Sequence, residues 1–148
     1  MRMICCVDDC MGMMFHDRRQ SRDRILIRDI VKMCRGCKLW AAPYSEKMLK
    51  EYPDEGADGC RLLIDDEFLK KAGKEDFCFV EGKLPPEYEK NITQIILYRW
   101  NRKYPADIYF QIDLNRWKMT GSWDFTGSSH EKITKEIYEK KEFACASK

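Results

Sequence analysis

The chain has 148 residues, of which 44% are hydrophobic and 35% charged, and its formal net charge is +2. This length and composition are typical of a soluble protein, so we expect one domain over residues 1–148. No apolar run approaches the ~20 residues of a membrane-spanning helix, and acidic residues at positions 8 and 9 come too early for a signal peptide. We therefore expect a cytoplasmic protein without a membrane partner.

The first part of the chain alternates the patterns of short strands and helices. Apolar runs predict strands over residues 3–7, 38–42, 61–64 and 77–80. Helical patterns lie between them, over residues 21–36, 45–52 and 67–72, and residues 53–59 are predicted to form a loop. Ser21 and Ser45 are the expected N-caps of the first two helices. This alternation predicts a mainly parallel sheet covered by helices.

The last part of the chain is richer in strand patterns. Three strands are predicted over residues 95–100, 108–114 and 117–125. The last two alternate apolar and polar residues, which predicts an antiparallel hairpin that turns at residues 115–116. Ser128 and Glu131 have the spacing of a capping box, which predicts a final helix over residues 128–138. The predicted fold is α/β with three layers: a mainly parallel sheet with antiparallel C-terminal strands.

The order of these elements resembles the dihydrofolate reductase family. The first strand followed by Val7-Asp8-Asp9-x-x-Gly12-Met13 is similar to that family's first strand and its glycine-bearing loop. From Gly12 to Asp23 is 23 − 12 = 11 positions, close to the interval at which the family places the carboxylate that holds the pterin ring. The resemblance implies this role for Asp23. The alternative is an acid that is favoured in a first helical turn by the helix dipole alone.

The cofactor motifs of that family are changed in this chain. Where the family has Gly-Arg-x-Thr to bind the NADPH phosphate, residues 42–45 read Ala-Pro-Tyr-Ser and contain no arginine. The Gly-Gly turn of the family corresponds to Val80-Glu81-Gly82, where the acid repels phosphate. We therefore expect the fold of a dihydrofolate reductase without the reductase activity, and the cofactor is unknown.

Two other segments resemble a family of small bacterial proteins that are often labelled ribonuclease Z. They are Gly-Met-x-Phe-x-x-Arg-Arg-Gln-Ser-x-Asp-Arg at residues 12–24 and Gly-Ser-Ser-His-Glu-Lys-Ile at residues 127–133. Ribonuclease Z is a two-zinc hydrolase with a His-x-His-x-Asp-His motif, whereas this chain has only His16 and His130. We expect that the label does not describe this chain's activity.

The eight cysteines are predicted to be structural thiols, since free cysteines in a reducing compartment behave as small apolar side chains. Cys34 and Cys37 have the spacing of one zinc ligand pair, but no second pair follows at a suitable distance. Cys5, Cys6 and Cys10 are the alternative partners. We predict no metal site and leave open whether Cys34 and Cys37 bind metal.

Positive charge is concentrated in one segment. Residues 18–38 contain eight Lys or Arg and two Asp, a net charge of +6, so the remainder carries 2 − 6 = −4. Arg18, Arg19, Gln20 and Ser21 lie just before a predicted helix, where guanidinium groups and free amides can bind a phosphate or carboxylate. The alternative is a solvated surface.

A second candidate site is the segment at residues 127–130. The hydroxyls of Ser128 and Ser129 can bind an anion, and His130 can act as an acid or base. A plain capping box would explain Ser128 without a function. A serine beside a histidine in sequence is also no catalytic triad, because the fold must place a base across from its nucleophile.

Together these patterns predict a domain that binds a small anionic ligand, such as a nucleotide or a phosphorylated metabolite. Arg18 and Arg19 would hold the anion and Trp40 or Tyr44 would stack on the ligand, between residues 12–23 and the strand ends. If a reaction follows, Asp23 or His130 would transfer the proton, and whether the chain is an enzyme stays open.

Two alternative functions remain open. One is an interaction or inhibitor protein from a mobile element, which would use the basic helix and the methionine-rich loop. The other is an RNA-binding or RNA-cleaving protein that would use the basic and aromatic residues 98–104.

Overall fold

The computed structural model describes residues 1–51 and 59–141, so the loop predicted over residues 53–59 lies almost wholly outside the described residues. Within the described part, the strands are β1 (Arg2–Val7), β2 (Gly12–Phe15), β3 (Arg18–Arg19), β4 (Lys38–Ala41), β5 (Arg61–Ile64), β6 (Phe77–Phe79), β7 (Gln94–Arg99), β8 (Ile108–Tyr109), β9 (Trp117–Phe125) and β10 (Ile133–Lys140). The helices are α1 (Arg24–Met33), α2 (Pro43–Glu51) and α3 (Phe68–Lys71), and 3-10 turns cover Pro86–Asn91 and Leu114–Arg116.

The main sheet has the strand order β5-β4-β6-β1-β7-β10-β9. The pairs among the first five of these strands are parallel, and β10 runs antiparallel to both β7 and β9. This arrangement confirms the prediction of a mainly parallel sheet with antiparallel C-terminal strands. It also places the carboxyl ends of β1 and β6 beside the start of α1, where the candidate site lies.

Both faces of the main sheet are covered by apolar layers. On the first face, Leu26, Ile27 and Ile30 of α1 pack with Ile4 and other strand residues. On the second face, residues of α3, of β2 and of the segment that follows β8 pack against the alternate strand residues, such as Cys5 and Leu97. Because successive side chains of a strand point to opposite faces, both layers need apolar residues, which explains the continuous apolar runs. The predicted three layers are confirmed.

A small second sheet has the order β3-β2-β8. The β2–β3 hairpin turns at His16 and Asp17, whose φ angles of 52° and 60° match a two-residue turn of the type that suits the twist of a hairpin. The sequence indicates only a loop in this segment. The hairpin carries Arg18 and Arg19 at the end of the main sheet.

The N-terminus of α1 differs from the prediction. Its N-cap is Asp23 and not Ser21, since the Asp23 backbone is extended and its carboxylate accepts hydrogen bonds from the amides of Ile25 and Leu26. Ser45 is likewise not an N-cap. It lies inside α2, which begins at Pro43, a residue suited to the first helical position.

The predicted C-terminal helix over residues 128–138 is wrong. Residues 133–140 form β10, which is paired along its length with β9 and over most of it with β7. Ser128 does act as a helix cap, but for α1: its Oγ accepts a hydrogen bond from the Arg24 amide at 3.0 Å. Ser128 therefore caps a helix, as its sequence pattern indicates, but the helix is α1 and not one that follows Ser128.

The hairpin predicted over residues 108–125 is also wrong. β9 pairs with β10, and β8 pairs with β2 over only two residues. Phe110 and Ile112 are buried as the alternation predicted, but they enter the second apolar layer from a segment that has no strand partner. The alternation of apolar and polar residues here indicates which side chains are buried, but not which strands pair.

Ile96 offers a test of this packing, because it lies on β7 between β1 and β10 and is fully buried. We expect Ile96→Ala to lower the free energy of unfolding by about 2–5 kcal/mol, the usual cost of the lost contacts and the cavity. Met119→Ala, at a residue that is 45% exposed on β9, is the matched control and should cost less than about 1 kcal/mol. Urea unfolding measures both, and equal losses would contradict the assignment.

Candidate functional site

The Asp23 carboxylate is the centre of the candidate site. Its side chain is fully buried, and its two oxygens accept hydrogen bonds from the amides of Ser128 at 2.9 Å and Ser129 at 2.8 Å. His130 Nδ1 lies 3.0 Å from Asp23 Oδ2. The turn between β9 and β10 therefore wraps around this carboxylate as a protein loop wraps around a bound anion.

The same carboxylate accepts hydrogen bonds from amides in the first turn of α1. The Ile25 and Leu26 amides donate to Asp23 Oδ1, the Ile27 amide donates to the Asp23 carbonyl oxygen, and the Arg24 amide donates to Ser128. The amides of Arg24, Ile25 and Leu26 have no acceptor within a helix that begins here, but all three are satisfied. These amides are thus not free to bind a ligand phosphate, contrary to what the sequence suggested.

The hydrogen bonds also control the ionisation of Asp23. Burial by itself raises the pKa of a carboxyl group, but the bonds from Ser129, Ser128 and His130 outweigh it and hold the pKa of Asp23 well below its usual value. Asp23 is therefore a carboxylate near neutral pH. Because a carboxylate only accepts hydrogen bonds, the proton of the neutral His130 ring must lie on Nδ1.

In the neutral ring with Nδ1 protonated, Nε2 of His130 is an acceptor, and two hydroxyls lie within hydrogen-bond distance of it. Ser21 Oγ lies 3.0 Å from Nε2, and Tyr104 Oη lies 3.1 Å from it. The imidazole is only 4% exposed and stacks on Trp100 with ring centroids 4.5 Å apart. The fold thus brings Ser21, His130 and Asp23 into one hydrogen-bonded chain, although His130 is over 100 positions from both of the others.

Arg19 lies beside this chain and is already paired. Its Nε and Nη2 donate to the two oxygens of Glu81 at 2.7 and 2.8 Å, and Ser45 Oγ also donates to Glu81. The guanidinium lies over the Tyr44 ring at 4.5 Å. Glu81 thus neutralises the positive charge that the sequence assigned to ligand binding.

Gln20 joins the site to a second buried carboxylate. Gln20 Nε2 donates to Asp8, which also accepts hydrogen bonds from the amides of Cys10, Gly12 and Tyr104. Burial would raise the pKa of Asp8, but these bonds lower it overall. Among the described residues, Gln20 Oε1 is a buried acceptor without a hydrogen-bond partner.

Two neighbouring spaces lie beside these residues. An inner cavity of about 20 Å³ is lined by residues that include Cys6, Ser21 and Trp100. An outer groove of about 570 Å³ is lined by residues that include Phe15, His16, Arg18 and Tyr104. Arg19 and Gln20 line both spaces, so the groove and the cavity adjoin at these two residues.

Two predicted residues are placed elsewhere. Trp40 packs in the second apolar layer, on the face of the sheet opposite α1, and its Nε1 donates to Asp76. Tyr44 is 46% exposed and its Oη accepts a hydrogen bond from the Arg19 amide, so Tyr44 lies at the edge of the site. The structure therefore brings together the other predicted residues, namely Arg18, Arg19, Gln20, Ser21, Asp23, Ser128, Ser129 and His130.

The site also contains residues that the sequence did not assign to it, chiefly Tyr104, Trp100, Glu81 and Asp8. Trp100 and Tyr104 belong to the basic and aromatic residues 98–104, which the sequence indicates only as an RNA-binding surface. Asp8 follows an apolar strand, a position where polar residues often reach a site. The partnership of Glu81 with Arg19 joins residues 62 positions apart, and no local pattern indicates it.

Across residues 1–51 and 59–141, no group of three or more His, Cys, Asp or Glu side chains is arranged to hold a metal ion. The cysteines described there are free thiols, and burial raises the pKa values of Cys5 and Cys34. In the same part of the chain, none of the helices has the length and apolar character needed to cross a bilayer.

The architecture and its strand order define the fold class: the chain has the fold of dihydrofolate reductase. It is similar to a structure of dihydrofolate reductase from Enterococcus faecalis complexed with NADP(H) and RAB-propyl, with a TM-score of 0.65 and 12% sequence identity. The match covers 95% of this chain and 96% of that chain. No family model and no curated protein matches the sequence. At this identity the likeness establishes the fold.

The buried Asp23 predicts a dependence of stability on pH. Because its pKa is lower in the folded chain than the usual value of about 3.9, its contribution is complete above about pH 5 and is lost as the pH falls below about 4. We expect Asp23→Asn to lower the free energy of unfolding by about 3 kcal/mol at pH 7, since hydrogen bonds to charged groups contribute roughly 1.5–3 kcal/mol each. The difference from the parent chain should shrink at pH 3.

Urea unfolding at pH 7 and pH 3 measures both effects. Asp66→Asn, at an exposed position, is the matched control and should leave stability nearly unchanged at both values. A difference between Asp23→Asn and the parent that is the same at both pH values would contradict the assigned role of Asp23.

Proposed function

We propose that the chain binds a small anionic ligand, a nucleotide or a phosphorylated metabolite, in the outer groove beside the β2–β3 hairpin. The observation that carries the proposal is the position of Arg18. Its side chain is exposed and lines the groove, and within the described residues it has no ion-pair partner. Arg19, in contrast, is held by Glu81. Arg18 is therefore the guanidinium that is free to bind an anion.

The rest of the groove suits such a ligand. Its volume of about 570 Å³ is within the usual range of small-molecule sites. Phe15, which is 38% exposed, and Tyr104 offer aromatic surface near Arg18. Gln20 also lines the groove. These groups fit an anion joined to a flat or polar ring.

The position of Glu81 argues against NADPH binding in the manner of the dihydrofolate reductase family and favours another ligand. The structure from Enterococcus faecalis contains NADP(H). In this chain the turn that corresponds to the family's Gly-Gly turn places the Glu81 carboxylate between Arg19 and Ser45. A carboxylate in this position repels a cofactor phosphate and already uses the nearby cation. We infer that the chain lacks reductase activity.

The two alternative functions receive less support from the geometry. Tyr98 and Trp100 are buried and Arg99 is paired with Glu136, so these residues present little surface to RNA. Met13 and Met14 are buried, so the methionine-rich segment does not form the expected docking surface. The exposed basic side of α1 remains, and it is an ordinary solvated helix face.

A thermal-shift screen of the full chain against nucleotides, sugar phosphates, folates and NADPH tests the proposal. We expect a stabilising ligand among the nucleotides or sugar phosphates, and at a hundred times its dissociation constant it should add about 2.7 kcal/mol. Arg18→Ala should weaken its binding about tenfold, because a hydrogen bond to a charged group contributes roughly 1.5–3 kcal/mol.

Arg28→Ala, at an exposed position on α1, is the matched control and should leave affinity unchanged. A ligand whose affinity falls equally in both variants would indicate general charge attraction and contradict the assigned site. The absence of any shift across the screen would reject the proposed function.

A further inference from the structure

We propose that Ser21 is a nucleophile activated by His130 and Asp23, and that the chain transfers or hydrolyses acyl groups of small esters that carry an anionic group. The inference adds a reaction to the proposed binding site. It is carried by the juxtaposition of a serine, a histidine and a carboxylate, of which the serine lines a small cavity. No single segment of the sequence contains this arrangement.

The distances are those of a nucleophile with its base. Ser21 Oγ lies 3.0 Å from His130 Nε2, and His130 Nδ1 lies 3.0 Å from Asp23 Oδ2, so the three side chains form a chain of hydrogen bonds in the order that a serine nucleophile requires. Asp23 accepts the Nδ1 proton and leaves the lone pair of Nε2 directed at the two hydroxyls. In this order Asp23 is a positioning residue and His130 is the base.

The surroundings hold the base in place. The imidazole stacks on the buried Trp100, and the Asp23 oxygens are fixed by the amides of Ser128 and Ser129. An imidazolium formed during a reaction would lie between the Asp23 carboxylate and an aromatic face, and both stabilise positive charge. The geometry is thus set before a substrate enters.

The substrate has one evident approach. Ser21 lines the inner cavity, whose volume of about 20 Å³ is enough for one water or for one carbonyl group. The bulk of the substrate would lie in the outer groove, where Arg18 can bind its anionic group, with the side chains of Arg19 and Gln20 at the boundary between the two spaces. A small ester or thioester with a carboxylate or phosphate at its other end fits these two spaces.

The reaction balances with water as the acceptor. Ser21 Oγ forms a bond to the acyl carbon while its proton passes to His130 Nε2, and the leaving alcohol or thiol takes that proton as its bond to the acyl carbon breaks. Water then attacks the acyl-serine, again giving a proton to His130, and the acid is released as Ser21 regains its proton. No oxidant or reductant is involved.

Tyr104 gives the proposal a distinctive consequence. Its hydroxyl lies 3.1 Å from the same Nε2, and a neutral imidazole has a single lone pair there. Tyr104 and Ser21 therefore compete for one acceptor. Replacing Tyr104 with Phe removes the competitor, keeps the ring and should make Ser21 more reactive.

Labelling of the full chain with an alkyl fluorophosphonate tests the proposal. In this reaction Ser21 Oγ bonds to phosphorus, fluoride leaves and the proton passes to His130. We expect one adduct by intact mass, located on Ser21 by peptide mapping, and no adduct in Ser21→Ala. His130→Gln should lower the labelling rate about 100-fold or more, and Tyr104→Phe should raise it about twofold.

Ser122→Ala, an exposed serine of β9, is the matched control and should label at the parent rate. Thermal melts report whether each variant is folded; if His130→Gln is not, Tyr104→Phe still supplies the test. A folded chain with no adduct on Ser21 would overturn the proposal, as would slower labelling of folded Tyr104→Phe. The probe carries no anionic group, so failure here is distinct from failure of the ligand screen.

Discussion

One buried carboxylate joins two parts of the fold that are remote in sequence. Asp23 caps α1 and is itself bound by the turn between β9 and β10, so the main helix of the first face is tied to the antiparallel end of the sheet. A buried charge is stable only when hydrogen bonds replace its water, and here they come from the protein on every side. Gly127 belongs to the same constraint, because a Cβ there would overlap Asp23 Oδ2.

The second internal anion, Glu81, changes what the fold can do. It lies at the end of β6 and holds Arg19 and Ser45, so that part of the site is closed by the protein's own charge pair. The outer groove keeps Arg18 and the inner cavity keeps Ser21. A shared fold can therefore present different side chains at its strand ends, and function depends on those side chains and not on the sheet.

Much of the sheet could be predicted, because strands buried on both faces leave continuous apolar runs such as residues 95–98. The predictions were wrong where a local sequence pattern acts on a distant part of the chain. Ser128 has the chemistry of a helix cap, but the helix it caps begins at Arg24. The sequence indicated Asp23 and His130 individually. Their union with Ser21, and the competition from Tyr104, depend on strand pairing that no local spacing encodes.

The remote capping of α1 has a consequence for how the chain acquires its structure. The bonds from Arg24 to Ser128 and from Ser128 and Ser129 to Asp23 span 104 to 106 positions. While the chain is being synthesised, the start of α1 therefore lacks these bonds until residues 128 and 129 have been made. Contacts of such long range slow folding. The β9–β10 hairpin thus holds the start of α1 in place. The site between its turn and α1 forms only once this hairpin has packed against the helix.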